Sequence, residues 1–136
     1  MSDWMQRYWD AWNSHDADRV AEMMAETVTF VDVGLGTTYQ GRDAVRAFAA
    51  EGHATSSDSS FTLLSSQQSG SSYAMEWEST GTNTGPLGPL PATNKTYRVN
   101  GASIGEVDER GLVLCNTDYW NMAGFLVQLE VLPPLT

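Results

Sequence analysis

Apolar residues in the first third of the chain recur at the spacing of amphipathic helices. In residues 4–12, WMQRYWDAW, large apolar side chains return every three or four positions, which predicts a first helix with an aromatic face. Asp16 has the residue type of an N-cap and precedes ADRVAEMMAE, which predicts a second helix. The apolar positions of RDAVRAFAAEGH, after Gly41, predict a third helix.

The remaining segments are rich in β-branched residues or alternate apolar with polar ones, which is typical of strands. VTFVDVG at residues 28–34 predicts the first strand. Four longer segments predict further strands: FTLLSSQQ, SYAMEWESTGT, TYRVNGASIGEV and LVLCNTDYW. A Pro/Gly loop at residues 85–94 separates two of them, and NMAGFLVQL predicts a short helix after the last.

Helices first and strands later in one chain predict an α+β fold of one domain, residues 1–136. We expect the N-terminal helices to pack over a curved antiparallel sheet. Such a sheet forms a cone with an open mouth, which is a pocket for a small apolar ligand.

The net charge of −10, from 17 acidic and seven basic residues, disfavours polyanionic partners such as nucleic acid and anionic membrane surfaces. The single Cys115 excludes an internal disulfide and a thiolate metal cluster. No metal-ligand spacing and no nucleotide-binding or nucleophile motif occurs, so we expect no cofactor and no metal. Without a signal sequence or a long apolar run, a cytoplasmic location is expected.

Two acids and one phenol lie in otherwise apolar surroundings. Asp32 ends the strand VTFVD, Asp118 ends the strand VLCNTD, and Tyr8 lies on the aromatic face of the first helix. Carboxyl groups in apolar pockets have raised pKa values, which suits proton transfer near neutral pH. Two structural alternatives are open: Asp118 as a helix N-cap, although Asn121 is better placed for it, and Asp32 as a turn residue.

Six further residues are candidates for substrate contact because they lie on apolar faces or share a strand face with the acids. They are Trp12, Phe48, Trp77, Ser103, Asn116 and Trp120. Trp4 and Trp9 are predicted to serve packing instead. His15 is expected in solvent. His53 is expected to cap the C-terminus of the third helix, with a place at the rim of the pocket mouth as the alternative.

Residues 6–48, QRYWDAWNSHDADRVAEMM…VTFVDVG…YQGRDAVRAF, resemble ketosteroid isomerase, a member of the nuclear transport factor 2-like superfamily. The similarity runs without a gap from the first helix to the acid at the end of the strand. It implies that Tyr8 is the oxyanion-hole tyrosine and that Asp32 is the proton-shuttling base. Ser103 stands at about the position of the second oxyanion-hole acid.

Residues 81–129 resemble the SnoaL-like polyketide cyclases, from the turn GTNTG through a glycine-containing hairpin to Asp118 before the C-terminal helix. Asn83 replaces the histidine that this turn often carries in the family. The resemblance implies that Asp118 is the acid/base of an intramolecular aldol condensation. It also implies a homodimer formed through the outer face of the sheet.

The sequence therefore predicts a cofactor-independent acid/base enzyme, a cyclase or isomerase, with a small hydrophobic carbonyl substrate. Asp118, Asp32 and Tyr8 are the predicted catalytic residues. Two alternatives stay open: an epoxide hydrolase or epoxide-opening ether cyclase, for which Arg98 could supply a guanidinium, and a non-catalytic binding protein for small ligands. Whether Asp32 and Asp118 share one pocket is not decided by the sequence.

Overall fold

Helices precede most of the strands in the computed structural model, which describes residues 2–135. The helices are α1 (Ser2–Asn13), α2 (Ala17–Glu22), α3 (Arg42–Thr55) and α4 (Met122–Gln128). The strands are β1 (Met24–Asp32), β2 (Thr37–Gln40), β3 (Ser60–Ser69), β4 (Ser72–Thr82), β5 (Thr96–Val107) and β6 (Val113–Trp120). The α+β prediction is confirmed. In the described part of the chain, no helix is both long enough and apolar enough to cross a bilayer.

These six strands form one curved sheet in the order β2-β1-β6-β5-β4-β3. Neighbouring strands run antiparallel except β1 and β6, which run parallel. The prediction of a wholly antiparallel sheet is therefore wrong for this pair. A hairpin forces its two strands to be antiparallel, but β1 and β6 are separated by most of the chain, so either direction is open to them.

The boundaries around α2 and β1 also differ from the predicted ones. Asp16 caps α2 as predicted, because its carboxylate accepts hydrogen bonds from two backbone N–H groups of the first turn. However, α2 ends at Glu22 and β1 begins at Met24, which pairs with Val113 of β6. Pairing between distant strands thus overrides the helical pattern of ADRVAEMMAE. The segment TTYQ forms the edge strand β2.

The aromatic face of α1 packs against the sheet. Its apolar side chains are all at most 8% exposed; they are Trp4, Met5, Tyr8, Trp9 and Trp12. The Trp9 ring contacts Phe61 of β3 and Trp77 of β4. This packing places the Tyr8 side chain between the helix and the sheet.

Two glycines of β5 let aromatic rings of β4 lie across that strand. Gly101 pairs with Trp77, and Gly105 pairs with Tyr73. A Cβ at Gly101 would lie 2.3 Å from the Trp77 ring, and one at Gly105 would lie 2.4 Å from the Tyr73 hydroxyl. Any larger residue at either position would displace a ring that the candidate site uses.

The Pro/Gly loop at residues 85–94 is held in place by the buried Asn83. Its amide nitrogen donates to the Gly85 carbonyl over 2.7 Å, and its amide oxygen accepts from the backbone N–H and the hydroxyl of Thr93. Three residues of this loop, Pro86 to Gly88, line the cavity described below. Asn83 therefore has a structural role in closing one side of the cavity.

Candidate active site

Two carboxyl groups meet where β1 and β6 end. In the parallel register, Asp32 pairs directly with Asp118. Directly paired residues of neighbouring strands, about 4.8 Å apart, point to the same face of a sheet. Both side chains line one cavity between the sheet and the helices. The two predicted acids therefore share a pocket.

Asp118 is held through a single carboxylate oxygen. The Ser103 hydroxyl donates to Oδ1 over 2.6 Å, and the Asn116 amide donates to the same atom over 2.8 Å. Within residues 2–135, Oδ2 makes no hydrogen bond of this kind. Because Oδ1 is turned to buried partners while Asp118 lines the cavity, Oδ2 is the oxygen available to a ligand.

A second layer of hydrogen bonds fixes the direction of these two donors. The Trp77 indole N–H donates to Ser103 Oγ over 2.9 Å, and the Tyr73 hydroxyl donates to Asn116 Oδ1 over 2.7 Å. An indole N–H can only donate, so Ser103 must direct its own proton toward Asp118. Likewise, an Asn116 carbonyl that accepts from Tyr73 leaves the amide NH₂ facing Asp118.

Asp32 is fixed by both a backbone group and an indole. Its Oδ1 accepts from the Leu35 backbone N–H over 2.8 Å and from the Trp120 indole N–H over 2.8 Å. A Cβ at Gly34 would lie 2.4 Å from the Trp120 ring, so a glycine is needed for the indole to reach the acid. Asp32 thus shapes the turn after β1 and also lines the cavity.

Burial raises the pKa of both carboxyl groups. For Asp118 it raises the pKa to about 6; the hydrogen bonds from Ser103 and Asn116 offset part of this effect, and the charge of Asp32 adds to it. The pKa of Asp32 is also raised by burial, against the lowering effect of the Leu35 and Trp120 hydrogen bonds. A carboxyl group that titrates near neutral pH can both accept and release a proton during a reaction.

The Tyr8 phenol faces the same cavity. The residue is 1% exposed and lines the cavity. Within residues 2–135, its hydroxyl makes no hydrogen bond of normal length and angle. Burial, and secondarily the charge of Asp118, raise its pKa. Tyr8 therefore stays protonated at neutral pH and has a hydrogen bond to donate.

The cavity has a volume of about 480 Å³ and mainly aromatic walls. Its rings come from α1, α3, five strands and α4: Tyr8, Trp9, Trp12, Tyr39, Phe48, Phe61, Trp77, Tyr97, Trp120 and Phe125. Its acidic residues are Asp32, Glu51 and Asp118, and no described lysine or arginine lines it. No group of three His, Cys, Asp or Glu side chains that could hold a metal ion occurs in the part of the chain that the structure describes.

Residues 5–114, most of the chain, match the family model of the SnoaL-like domain. The chain belongs to the SnoaL-like domain family. No curated protein matches the sequence significantly.

Solved structures share the fold of this SnoaL-like protein over nearly its whole length. A Jannaschia sp. CCS1 protein, proposed to be a SnoaL-like polyketide cyclase, has a TM-score of 0.85 at 15% identity, covering 98% of this chain and 92% of that one. IdmH from Streptomyces antibioticus, a proposed polyketide cyclase, has a TM-score of 0.80 at 20% identity, covering 96% and 98%. A Catenulispora acidiphila DSM 44928 protein with a ketosteroid isomerase-like fold, in complex with trimethylamine, has a TM-score of 0.83 at 18% identity, covering 95% and 93%.

The predicted site residues of the SnoaL-like domain fall into two groups. Those on the cavity wall are Tyr8, Asp32, Asp118, Trp12, Phe48, Trp77 and Trp120. Ser103 and Asn116, predicted to contact substrate, lie instead beneath Asp118 at 0% and 1% exposure, where they bond its carboxylate. The alternative of Asp118 as a helix cap is not realised, because Asn121 caps α4 by accepting from the Gly124 N–H.

Sequence reasoning missed several residues of the site, including the rings of Tyr39, Phe61 and Phe125. Tyr73 orients Asn116, while Ser79 and Tyr97 line the cavity. The alternation of SYAMEWES puts Tyr73 and Ser79 on the face of Trp77, so the signal was present in the sequence. Trp9, predicted to serve packing, also lines the cavity, because one helix face supplies both core and pocket wall.

His53 lines the cavity beside α1 rather than capping α3. Its Nε2 hydrogen-bonds the Trp12 carbonyl over 3.1 Å, and its ring stacks on His15 with centroids 4.4 Å apart. Burial, followed by the neighbouring His15, lowers the pKa of His53. His15, expected in solvent, is half-buried and hydrogen-bonds the Ser59 carbonyl over 2.8 Å. The pair joins α3 to the loop after α1.

Proposed function

We propose that this SnoaL-like protein is a cofactor-independent acid/base enzyme acting on a small, mostly apolar carbonyl compound, as a polyketide cyclase or isomerase. The observation that carries the proposal is the direct pairing of Asp32 with Asp118 inside an aromatic cavity. Two neighbouring carboxyl groups with raised pKa values, and a protonated phenol facing the same space, form a set suited to moving protons on a bound carbonyl compound.

In the first step, ionised Asp118 removes a proton from the carbon next to the substrate carbonyl. The proton goes to Oδ2, and the electron pair of the broken C–H bond shifts to the carbonyl oxygen to form an enolate. The Tyr8 hydroxyl donates a hydrogen bond to that oxygen, which gains negative charge in the transition state. Ser103 and Asn116 keep Oδ1 occupied, so Oδ2 performs the transfer.

In a cyclisation, the enolate carbon then attacks a second carbonyl carbon of the same molecule. A carbon–carbon bond forms, and the new alkoxide takes the proton that Asp118 holds, relayed through Asp32 as the second acid/base. This transfer leaves both carboxyl groups as they were before the reaction and restores the enzyme. In an isomerisation, Asp118 instead returns its proton to a different carbon of the enolate.

The cavity supports a neutral ring compound as substrate. Its walls are largely aromatic, and its charged residues are acids, which disfavour a bound anion. Proposed polyketide cyclases share the fold, and polyketides are carbonyl-rich compounds of this kind. The related protein in complex with trimethylamine supports small-ligand binding in this fold without pointing to the substrate.

The alternatives fit the site less well. Arg98 pairs with Glu78 over 2.7 Å, and its side chain is 68% exposed, so it supplies no guanidinium between the acids of an Asp-Arg-Asp epoxide hydrolase. An epoxide-opening ether cyclase could use the two carboxyl groups, but they are neighbours on one wall rather than opposed across the cavity. A non-catalytic binder has no need for a carboxyl group with a pKa near neutral.

We also propose that the protein forms a homodimer through the outer face of its sheet. That face exposes Ile104 and Tyr119, at 53% and 49%. Large apolar side chains on an open sheet face favour a second copy as partner. Sedimentation equilibrium tests this, with Ile104→Asp expected to shift the protein to monomer; a wild-type monomer would contradict it.

The proposed function is tested by combining a carboxyl NMR titration with turnover. Asp32→Asn and Asp118→Asn assign the two signals, and we expect the Asp118 pKa near 6. Turnover of a cyclisation or isomerisation substrate should fall about 10²–10⁴-fold in Asp118→Asn. An Asp118 pKa at or below its ordinary value of 3.8, together with unchanged turnover, would overturn the proposal.

A further inference from the structure

A second group of hydroxyls lines the cavity at a distance from the two acids. Ser56, Ser79 and Tyr97 are each at most 9% exposed, and all three line the cavity. Tyr97 and Ser103 lie on the same face of β5, and at about 3.3 Å per residue the strand separates them by roughly 20 Å. Since Ser103 contacts Asp118, this cluster of hydroxyls lies at the end of the cavity remote from the two acids.

The hydrogen bonds of this cluster run in one direction. Tyr97 donates to Ser56 Oγ over 2.8 Å, and Ser56 donates to Asp58 Oδ1 over 3.3 Å. The hydroxyl and N–H of Thr82 also donate to the Asp58 carboxylate and lower its pKa, so it is ionised at neutral pH. An ionised carboxylate only accepts, so both hydroxyl protons point toward Asp58. Toward the cavity, the Tyr97 oxygen can therefore only accept.

The backbone of β4 leaves space for this cluster of hydroxyls, because a glycine lies beside it. A Cβ at Gly81 would lie 2.4 Å from Ser56 Oγ and 2.5 Å from the Tyr97 hydroxyl. Ser79 precedes Gly81 on the same strand face and lines the cavity with Tyr97. Burial raises the pKa of Tyr97, and the hydroxyls of Ser56 and Ser79 offset part of this rise. Unlike the phenol, the Ser79 hydroxyl can rotate, so it can accept or donate.

We propose that Ser79 and Tyr97 form a subsite for a hydroxyl group at the end of the substrate remote from the reacting carbon. The inference rests on the proposed function, because both concern the same cavity. A ligand hydroxyl donates to Tyr97 and accepts from Ser79, whereas an ether oxygen offers Tyr97 no donor. A ligand carboxylate at this position is disfavoured, because the Tyr97 oxygen only accepts hydrogen bonds and the charged residues of the cavity are acids. The substrate class is thus a ring compound with a phenol or alcohol far from its reacting carbonyl.

The experiment compares the binding of 2,6-dihydroxyanthraquinone and 2-hydroxyanthraquinone, followed by quenching of indole fluorescence. The quinone makes these phenols more acidic than the tyrosine side chain, which titrates near 10, and the measurement is made at about pH 5.5 to keep both compounds neutral. The second hydroxyl should tighten wild-type binding about 3–10-fold, as one added hydrogen bond does. In Tyr97→Phe and in Ser79→Ala this ratio should fall to about one. Tyr119→Phe, a matched exchange at an exposed residue of β6, should keep the wild-type ratio.

Each outcome decides the proposal. Ser79→Ala is included because Tyr97→Phe also removes the bond to Ser56 and could loosen the fold. A ratio of one in the wild type, an unchanged ratio in both variants, or no binding of either compound overturns the subsite. Asp118→Asn should keep the ratio, because it changes only the other end of the cavity. If the ratio behaves as expected while Asp118 fails its titration, the subsite stands and the proposed function fails.

Discussion

At the scale of single residues, the chemistry of Asp118 depends on side chains that make no hydrogen bond to it. Tyr73 and Trp77 each donate to a residue that in turn donates to Asp118. These outer donors settle which way the amide of Asn116 and the hydroxyl of Ser103 face. A carboxylate held in this manner has a defined free oxygen and a defined pKa.

Tyr73→Phe tests the role of the outer donor. Without the Tyr73 hydroxyl, the Asn116 amide can rotate so that its oxygen faces Asp118. An amide oxygen only accepts hydrogen bonds, so Asp118 can bond to it only when protonated. We therefore expect the Asp118 pKa, measured by carboxyl NMR, to rise by about half a unit to one unit, since one bond to a charged group weakens. Tyr119→Phe is the matched control. An unchanged Asp118 pKa in Tyr73→Phe would show that Tyr73 serves only packing.

Asp118→Asn has a second expected effect, on stability. The folded-state pKa of about 6 exceeds the ordinary 3.8, so between these pH values the folded protein binds more protons than the unfolded chain. The stability from this group is fully present below about pH 3.8 and is lost as pH rises through about 6. The loss is about 3 kcal/mol at most, since one unit corresponds to about 1.36 kcal/mol.

Asparagine does not titrate, so the variant should gain unfolding free energy relative to the wild type between about pH 4 and pH 7.5. Urea denaturation at both pH values measures this difference. The contributions of the other acidic residues to the unfolding free energy cancel, because both proteins contain these residues. Parallel stability profiles of the two proteins would contradict the raised pKa.

At the scale of elements, the packing of β5 depends on glycines that have no side chain where aromatic rings of β4 lie across the strand. Gly105→Ala would place a Cβ 2.2 Å from the Cys115 carbonyl and 2.4 Å from the Tyr73 hydroxyl. We expect a loss of about 1–3 kcal/mol in unfolding free energy from this overpacking. Gly52→Ala in α3, where nothing lies within 4 Å, should gain about 0.5–1 kcal/mol. Thermal or urea unfolding of both variants checks this, and equal effects would refute the steric argument.

The elements also show how far local sequence signals reach. The aromatic spacing of α1 and the alternation of β4 and β5 predict their elements closely, because each has one buried and one exposed face. The helical pattern around Met24 fails, because pairing with Val113, far along the chain, decides that stretch. The positions of Ser103 and Asn116 follow the same rule: alternation gives their face but not whether a ligand or Asp118 occupies it.

At the scale of the whole molecule, charge should select among ligands of similar shape. The chain has a net charge of −10, and no described basic residue lines the cavity. We expect 2-naphthol to bind at least about tenfold more tightly than 2-naphthoate at low salt, with the difference narrowing as salt screens the field. Indole quenching at two ionic strengths measures both affinities, and preferred binding of the carboxylate would contradict the neutral-substrate class.

The parallel pairing of β1 with β6 gives the site a high contact order. The hydrogen bond between Asp32 and Trp120 joins residues 88 positions apart. A nascent chain that has made β1 but not β6 holds Asp32 without its partner strand, its indole donor or the second acid. Because contacts between distant segments form slowly, closure of this pair belongs to the late part of folding. The desolvation of the two carboxyl groups is then deferred until the rest of the sheet exists to support it.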